Sequence, residues 1–272
     1  GGRLICHYCG YTQPLPKLCP KCGSKYILGF KAGTQQIEDK LKELYPGVRT
    51  LRMDADTTRT KDSYEKILSA FSNGEADVLI GTQMIVKGHD FPKVTLVGIL
   101  AADLSLNASD YRAGERTFQL LTQAVGRAGR GVVPGEAVIQ TYQPDHYAIT
   151  CAAAQDYKSF YEEEILYREL SGYPPAAHML AVQIYGKEEE NVKQLARRLT
   201  DVVKSNMDFL QILGPTPANI SKINDIYRYV FYAKHAEYDT LVAVKDCVEE
   251  TLRQWQPRQL SIQFDFDPVN VL

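Results

Sequence analysis

Two short apolar runs, at 77–80 and 94–100, constrain the fold of this 272-residue chain more than any other feature. Neither run shows the regular polar alternation of a strand that faces water on one side. Unbroken runs of this length are typical of strands that are buried on both faces of a parallel sheet. We therefore expect both runs to be such strands, in a parallel α/β layer.

Helical patterns alternate with these runs from about residue 29 onward. Thr34 is a suitable capping residue for a first helix, which Pro46-Gly47 is expected to end. The other elements expected in this layer are a strand at 48–53, a helix ending at Asn73-Gly74, a helix at 111–127 and a strand at 136–141.

A different pattern follows the chain break at Gly172–Pro175, which ends a helical stretch that runs from 145 to about 170. Six elements are expected beyond it, in the order strand, helix, strand, strand, helix, strand. This β-α-β-β-α-β order is ferredoxin-like. It is shared by proteins of many functions and therefore predicts none of them.

Composition places the chain among soluble globular proteins, with 44% hydrophobic and 24% charged residues. No apolar run approaches the length of a membrane span. The net charge of −2 neither indicates nor excludes a nucleic-acid partner, because binding depends on where basic residues cluster.

Four of the six cysteines form two Cys-x-x-Cys pairs, Cys6 with Cys9 and Cys19 with Cys22. Four thiolates make a closed tetrahedral site that suits structural Zn²⁺ in a reducing compartment. Nine residues separate the pairs, fewer than the roughly 15–20 of the common pattern. The pairs therefore either share one ion or complete sites with cysteines from elsewhere. Free thiols or a redox pair are the alternatives, although no thioredoxin-like unit surrounds them.

A glycine-bearing loop, GTQMIVKGHDFP at 81–92, directly follows the first apolar run. Ligands of α/β proteins bind at the carboxyl ends of parallel strands. Thr82 offers a hydroxyl and a backbone N–H to a phosphate, Gly88 permits close backbone approach, and Asp90 can accept from a ribose or hold an arginine. By itself this pattern also fits an ordinary loop.

A second motif, QAVGRAGR at 123–130, ends the long helix expected at 111–127. Arg127 and Arg130 lie near one face of a helix or of its last turn. Both can then reach one charged ligand, and a guanidinium stabilises charge on a transferring phosphoryl group. The alternative is a solvated basic helix end. Gln123, Gly126 and Gly129 argue against it, since each glycine costs a helix roughly 1 kcal/mol.

Together these motifs resemble motifs V and VI of superfamily 2 helicases. With the two cysteine pairs and GTQQIEDKLKELYPGV at 33–48, the chain resembles the C-terminal part of the bacterial primosomal helicases of the PriA family. The resemblance begins at about Arg3. Beyond Pro175 it depends on GPTPA at 214–218 and FDFDP at 264–268.

The resemblance implies an ATP-dependent 3′-to-5′ DNA helicase of the bacterial cytoplasm that recognises stalled forks and promotes primosome assembly and replication restart. Its two RecA-like lobes hold ATP and Mg²⁺ between them. The implied partners are fork and single-stranded DNA, single-strand-binding protein and primosome proteins. The implied α/β architecture is a zinc-binding segment at 1–28, a RecA-like parallel-sheet lobe 2 at 29–155, a helical connector at 156–175 and an α+β domain at 176–272.

The resemblance also assigns catalytic and nucleotide-binding roles. Arg127 and Arg130 match arginines that reach the ATP phosphates, with Arg130 as the arginine finger. Gln123 matches the motif VI glutamine. Gly88 and Asp90 match the half of motif V that faces the nucleotide.

Thr82 and Gln83 match the half of motif V that faces the DNA backbone. The family's zinc region holds two Zn²⁺ ions through eight cysteines at interleaved sites, so the two pairs present here can belong to different ions. The chain departs from the family because it has no GxxxxGK[ST] sequence, no DEAH tetrad and only four of these cysteines. We therefore expect a piece of a longer protein, without its own N-terminal domains and inactive alone.

Aromatic residues are concentrated at 227–232, on a strand expected in the C-terminal domain, with Lys222, Lys234 and His235 nearby. Alternating aromatic side chains on a sheet can stack bases, while basic neighbours hold the backbone. The alternative is that one face of this strand is core.

Two functions from different classes remain after these observations. The first is the motor lobe of an ATP-driven helicase. The second is a non-catalytic, zinc-bearing DNA-binding or scaffolding module with a degenerate RecA-like lobe. The paired arginines favour the first, because a lobe that no longer takes part in ATP hydrolysis would not need them. A simple zinc-ribbon protein would leave 29–142 unexplained.

Overall fold

The computed structural model describes residues 3–5, 11–14, 16–25, 33–58, 60–86, 91–108, 110–129, 133–207, 209–256 and 259–270. It divides into two compact units. The lobe unit comprises residues 17–106 and 115–160, and the C-terminal unit comprises residues 1–16, 107–114 and 161–272. No helix among the described residues has both the length and the apolar character that crossing a membrane requires.

A short antiparallel pair, β1 (Arg3–Ile5) and β2 (Thr12–Pro14), opens the chain. The next elements in chain order are α1 (Thr34–Leu44), β3 (Thr50–Met53), α2 (Lys61–Ser72), β4 (Val78–Gly81), a 3-10 helix (Gln83–Val86), β5 (Leu96–Ile99), α3 (Asp103–Leu106), α4 (Ala113–Val125), β6 (Glu136–Ile139) and α5 (Tyr147–Ala154).

The strands of the lobe unit pair in parallel, β3 with β4 and β5 with β6. The predicted parallel α/β arrangement is therefore confirmed, as two two-stranded sheets within the described residues. The prediction that the run at 94–100 is buried on both faces is wrong. Leu96 is 61% exposed and Val138 is 51% exposed, whereas Ile99 and Ile139 pack against a core with Phe118. Among the described residues, a core therefore packs against only one face of this strand pair.

The ends of α1 and α2 follow the sequence prediction. Gly74, with a φ of +79°, directly follows Asn73, the C-cap of α2. Pro46-Gly47, with a φ of +91° at Gly47, forms the turn after Tyr45, the C-cap of α1.

The predicted cap of α1 is wrong. Gly33 is the N-cap, without a side-chain hydrogen bond. The Thr34 hydroxyl instead donates to Asp54 Oδ2 at 2.5 Å, since a bond to a carboxylate is stronger than a neutral cap.

The C-terminal unit contains an antiparallel sheet with strand order β10-β7-β9-β8. The elements that form it, after α6 (Tyr157–Ser171), are β7 (His178–Gly186), α7 (Glu189–Asn206), β8 (Gln211–Ile223), β9 (Ile226–His235), α8 (Tyr238–Trp255) and β10 (Leu260–Phe266).

The core of this unit lies where α7 and α8 pack on one face of the sheet. Residues at helical spacing on α7, such as Val192, Leu199 and Val203, are fully buried beside residues of β7 and β9. Burying such a side chain contributes roughly 1.5–3 kcal/mol, so this layer accounts for much of the unit's stability.

The aromatic residues of β9 belong mainly to the core. Tyr229 is 8% exposed, and Phe231 and Tyr232 are fully buried. Tyr227 is half-buried, with Lys222 Nζ 4.8 Å from the centre of its ring. Base stacking on this strand therefore stays a prediction and is restricted to Tyr227 and its basic neighbours.

Candidate functional site

The loop at 81–92 starts from a tightly packed strand end. A Cβ atom on Gly81 would lie 2.5 Å from the Met53 carbonyl oxygen and 2.6 Å from Ile85 Cγ2, so only glycine fits where β4 ends beside β3. The next two side chains, Thr82 and Gln83, are exposed. Both are therefore presented at the carboxyl end of a parallel strand, where α/β proteins bind ligands.

The far end of this loop is held by an aromatic contact. The rings of Phe91 and Phe71, a residue of α2, meet edge to face with centroids 5.0 Å apart. Gly88 and Asp90, the predicted nucleotide-facing residues, lie outside the described residues. Their role therefore stays a prediction.

The second motif spans the end of α4 and the turn that follows. Gln123 lies in the last turn of α4 and is exposed, whereas Arg127 is half-buried in the turn beyond Val125. The helix thus ends before Arg127, and the Arg127 amide donates to the Ala124 carbonyl at 3.1 Å. Arg130 lies outside the described residues, so its position relative to Arg127 stays a prediction.

Backbone segments approach closely at Gly129 of this motif and at Gly135 beyond it, so both positions require glycine. Gly129 has a φ of +72°, and its amide donates to the Val94 carbonyl at 3.1 Å. A Cβ atom on Gly135 would overlap the backbone of Ala128 and Gly129. The chain leading to β6 therefore crosses directly against the motif. The structure brings the end of motif VI to Val94, next to the end of the loop at 81–92.

A buried carboxylate that sequence reasoning missed lies at the end of β3. Asp54 is 8% exposed and accepts from the Thr34 hydroxyl and from the Thr57 amide at 3.0 Å. Arg52 Nε lies 2.7 Å from Asp54 Oδ2. The Thr34 hydrogen bond is the main reason that the pKa of Asp54 is lowered in spite of its burial. The signal in the sequence is an acid that directly follows a predicted strand.

Asp103 is a second such carboxylate, close after β5, and it is 7% exposed. It accepts from the Thr141 hydroxyl at 2.9 Å and from the Tyr142 amide at 3.0 Å. Burial raises the pKa of Asp103, but these hydrogen bonds outweigh it and the pKa is lowered. Both acids fix loops at the carboxyl ends of strands.

One of the two cysteine pairs can be described, and it forms a tight turn. The Gly23 amide donates to the Cys19 carbonyl at 2.8 Å, and the Cys19 amide donates to the Ser24 carbonyl at the same distance. Backbone N–H groups of Cys22 and Lys21 lower the pKa of the Cys19 thiol, which favours the thiolate that binds metal.

This turn fits one half of a zinc site by its donor set. Cys6 and Cys9, the other predicted ligands, lie outside the described residues. Within the described part of the chain, no three His, Cys, Asp or Glu residues are grouped so as to hold a metal. Zinc therefore stays a prediction for Cys19 and Cys22.

Comparisons with known proteins identify families and relatives to which this chain is similar. The family model described as "Helicase conserved C-terminal domain" matches residues 15–132, and that of "Primosomal protein N C-terminal domain" matches residues 169–269. The replication restart protein PriA of Bacillus subtilis is 43% identical over 98% of this chain and 34% of its own length. The PriA proteins of Synechocystis and Treponema pallidum are 38% and 35% identical, over 98% and 100% of the chain and 32% and 41% of their lengths. The chain thus spans about a third of the length of such relatives.

Proposed function

Because this chain belongs to the PriA family and aligns with the C-terminal part of its members, we propose that it is the C-terminal portion of an ATP-dependent 3′-to-5′ DNA helicase. The complete protein recognises stalled replication forks in the bacterial cytoplasm and promotes primosome assembly and replication restart. The observation that carries this proposal is the contact at Val94, where the Gly129 amide of motif VI bonds to the segment between motif V and β5.

The residues of motifs V and VI have different roles in the proposed reaction. Arg127 and Arg130 stabilise the charge that develops on the transferring phosphoryl group of ATP. Gln123 belongs to the same catalytic set. Gly88 and Asp90 face the nucleotide, so that ATP and Mg²⁺ are held between this lobe and a lobe supplied by other parts of the protein.

Thr82 and Gln83 contact the DNA backbone in this proposal. Their exposure at the start of the loop supports it, since hydroxyl and amide groups bind phosphate oxygens without reading sequence. The two cysteine pairs bind structural Zn²⁺. A closed four-sulfur shell leaves no position for water, so the metal has no part in ATP hydrolysis.

We assign the C-terminal sheet to the ferredoxin-like class. Its elements follow one another as β-α-β-β-α-β, and its strands lie in the order β10-β7-β9-β8. We place the contacts to single-strand-binding protein, to primosome proteins and to single-stranded DNA partly on this unit. The half-buried pair of Tyr227 and Lys222 supports the DNA contact.

The proposal is tested by joining this chain to the ATP-binding lobe of a relative and measuring DNA-stimulated ATP hydrolysis. We expect the joined protein to hydrolyse ATP and the chain alone to show no turnover, because the Walker A lysine and the Mg²⁺ ligands are absent from its sequence. Arg130→Ala in the joined protein should lower kcat by roughly 10³-fold or more, as removing an arginine finger does, and Arg127→Ala should lower kcat as well.

The matched control is Arg253→Ala, which removes an arginine that is 71% exposed on α8 and should leave kcat unchanged. Near-normal hydrolysis in both Arg127→Ala and Arg130→Ala would contradict the role assigned to motif VI. A joined protein that hydrolyses no ATP would favour a non-catalytic zinc-bearing scaffold. Turnover by the chain alone that disappears in Arg127→Ala would contradict the expected need for a second lobe.

A further inference from the structure

The helices α7 and α8 pack against one face of the sheet in the C-terminal unit. Residues of the strands that point toward them, such as Leu180, Val182 and Phe231, are fully buried in the core. Because successive side chains of a strand point to opposite faces of its sheet, the residues between them belong to the other face, called here the second face.

The second face is divided into an apolar part and a polar part. The apolar part forms one buried cluster with Tyr111, and its strand residues are Met179, Ala181, Val230 and Tyr232. The polar part lies toward the end of β7 and the start of β9. Its residues, called here the polar patch, are Gln183, Tyr185, Arg228, Ser261 and Gln263. All of these residues belong to the C-terminal unit.

Strand register brings the polar patch together across three strands. Tyr185 of β7 lies opposite Arg228 of β9 and opposite Ser261 of β10, and Gln183 lies opposite Gln263 in the next row. The Arg228 Cζ atom is 5.7 Å from the centre of the Tyr185 ring. The Tyr185 hydroxyl donates to Gln263 Oε1 at 3.2 Å. The tyrosine thus lies between a cation on one neighbouring strand and an amide on the other.

Two members of the polar patch have binding capacity that the fold does not use. Arg228 contacts the Tyr185 ring but forms no ion pair with any residue that the structure describes. Gln183 is 4% exposed, and within the described residues its side chain bonds only through Oε1, to the Tyr185 hydroxyl. Its amide nitrogen therefore lacks an acceptor there. Such an amide at a buried position is unusual and requires an explanation.

These groups match the chemistry of single-stranded DNA. Every base has a face on which an aromatic ring can stack, and cationic side chains hold the phosphates. In one common class of single-strand-binding domains, aromatic side chains on a four-stranded sheet stack two or three bases. Tyr185 and Arg228 lie on β7 and β9, the two central strands of such a sheet. Ser261 and Gln263 are exposed, so a base can approach from the side of β10.

An ordinary cross-strand pair accounts for only part of this arrangement. A cation packed on an aromatic ring stabilises a sheet, but that role requires neither an unpaired charge nor the neighbouring amides. The polar patch contains one cation, Arg228, which suits one phosphate beside a neutral base better than a run of acidic side chains. Asp265, an acid on the same face, lies two rows away from Arg228. The phosphate is therefore placed at the Arg228 end.

We propose that the polar patch binds single-stranded DNA, with one base stacked on Tyr185 and a phosphate held by Arg228. Gln183 and Gln263 bond to the edge of that base. This inference rests on the proposed function, which assigns a single-stranded DNA contact to the C-terminal unit, and it identifies a surface for that contact. The surface differs from the pair of Tyr227 and Lys222, because Tyr227 packs on the helix-covered face.

The test compares binding of the chain to a short oligothymidylate and to a strand of equal length without bases. The chain carries Thr82→Ala and Gln83→Ala, so that the DNA contact proposed for the lobe does not mask the polar patch. Tyr185→Leu should weaken binding to oligothymidylate by roughly 5–100-fold, the loss expected for one stacked base. Binding to the strand without bases should change by less than about twofold, because phosphate contacts remain.

Matched variants separate stacking from general damage. Tyr185→Phe keeps the ring and should bind oligothymidylate within about threefold of the unchanged patch, since stacking does not need the hydroxyl. Tyr161→Leu replaces a tyrosine of α6 that is 52% exposed and should affect binding to neither strand. Equal losses on both strands in Tyr185→Leu would show that the ring supports the fold and does not stack on a base, and would overturn the inference.

Arg228→Gln is an independent variant that leaves the Tyr185 ring in place. It should weaken binding to both strands and reduce the slope of log affinity against log salt concentration by about 0.7, the contribution of one phosphate contact to a single strand. Arg253→Gln removes an arginine whose side chain is 71% exposed on α8 and should change that slope much less. Loss of binding to an acidic peptide but not to DNA in Arg228→Gln would overturn the inference in favour of a protein partner.

Photocrosslinking to DNA that carries iodouracil locates the contact directly and needs no variant of Tyr185. The crosslinked peptide should contain Tyr185. Crosslinks found only elsewhere, with normal binding by the Arg228→Gln variant, would overturn this inference and leave the proposed function intact. A chain with Thr82 and Gln83 intact that binds no single-stranded DNA would contradict both this inference and the DNA contacts of the proposed function.

Discussion

At the scale of single residues, the ion pair between Arg49 and Asp77 ties together the starts of two parallel strands. Asp77 accepts from the Arg49 backbone amide at 3.0 Å, from Nε at 3.1 Å and from Nη2 at 2.6 Å. This two-pronged geometry is among the stronger forms of a surface ion pair. The Arg49 side chain is the main reason that the pKa of Asp77 falls from 3.8 to about 2.

Asp77→Asn tests this pair through the pH dependence of stability. Because the pKa of Asp77 is lower in the folded state, its charge stabilises the fold fully above about pH 4. The contribution is lost as the pH falls toward about 2, the pKa that Asp77 has in the fold. The urea midpoint of the wild type should therefore exceed that of Asp77→Asn at pH 6, and the difference should shrink toward pH 2.

Arg49→Gln is the matched background for this measurement. Without the guanidinium, Asp77 keeps only its bond from the backbone amide of residue 49. The effect of Asp77→Asn on the urea midpoint should therefore depend much less on pH in this background than in the wild type. A pH-independent effect of Asp77→Asn in the wild-type background would show that the lowered pKa of Asp77 has no part in stability.

At the scale of elements, the motif VI turn depends on a crossing between two segments of backbone. The Gly129 amide reaches the Val94 carbonyl, and Gly135 passes against Ala128 and Gly129 with no room for a Cβ atom. The glycines of this region therefore serve packing as well as chain conformation. The sequence argument considered only what Gly126 and Gly129 cost a helix.

Gly135→Ala should destabilise the chain by about 1–3 kcal/mol, the usual cost of adding a methyl group to a site without space. The matched control is Gly98→Ala on β5, where a Cβ atom would meet nothing within 4 Å. That change should be neutral or should stabilise by up to about 1 kcal/mol, by restricting the unfolded chain. The free energy of unfolding of both variants, measured by chemical denaturation, tests this prediction. Equal changes in the two variants would contradict the close backbone contact at Gly135.

At the scale of the whole molecule, the two units each have a core of their own. The lobe unit has a cluster that includes Phe118 and Phe160, and the C-terminal unit has the larger cluster between its sheet and two helices. The described residues 16–25, which include Cys19 and Cys22, contribute to none of these clusters. A region that buries so little apolar surface commonly needs a metal to order it.

We expect about one Zn²⁺ per chain, held by thiolates of the two cysteine pairs. Metal analysis of protein purified without chelator tests this. Cys19→Ser should lower the zinc content, whereas Cys247→Ser, at a half-buried position on α8, should not. Zinc-free protein whose Cys19 and Cys22 thiols react freely with a thiol reagent would refute the metal prediction.

Local features of this protein could be predicted from its amino-acid sequence. The end of α2 at Gly74 and the turn at Gly47 after α1 follow from glycine's access to positive φ. The parallel layer follows from the alternation of apolar runs with helical patterns. Motifs V and VI were visible because each is a short continuous segment. Short-range rules of this kind need no knowledge of the fold.

Which distant segments meet could be learned only from the folded molecule. The fold places the Thr34 hydroxyl on Asp54, and it brings the Tyr111 ring into contact with both Arg168 and Tyr173. It also leaves Leu96 on an exposed face of its strand. The cause is the same in each case. Burial and long-range hydrogen bonds depend on which elements cover a given face, and that information is spread over the whole chain rather than carried by any one segment.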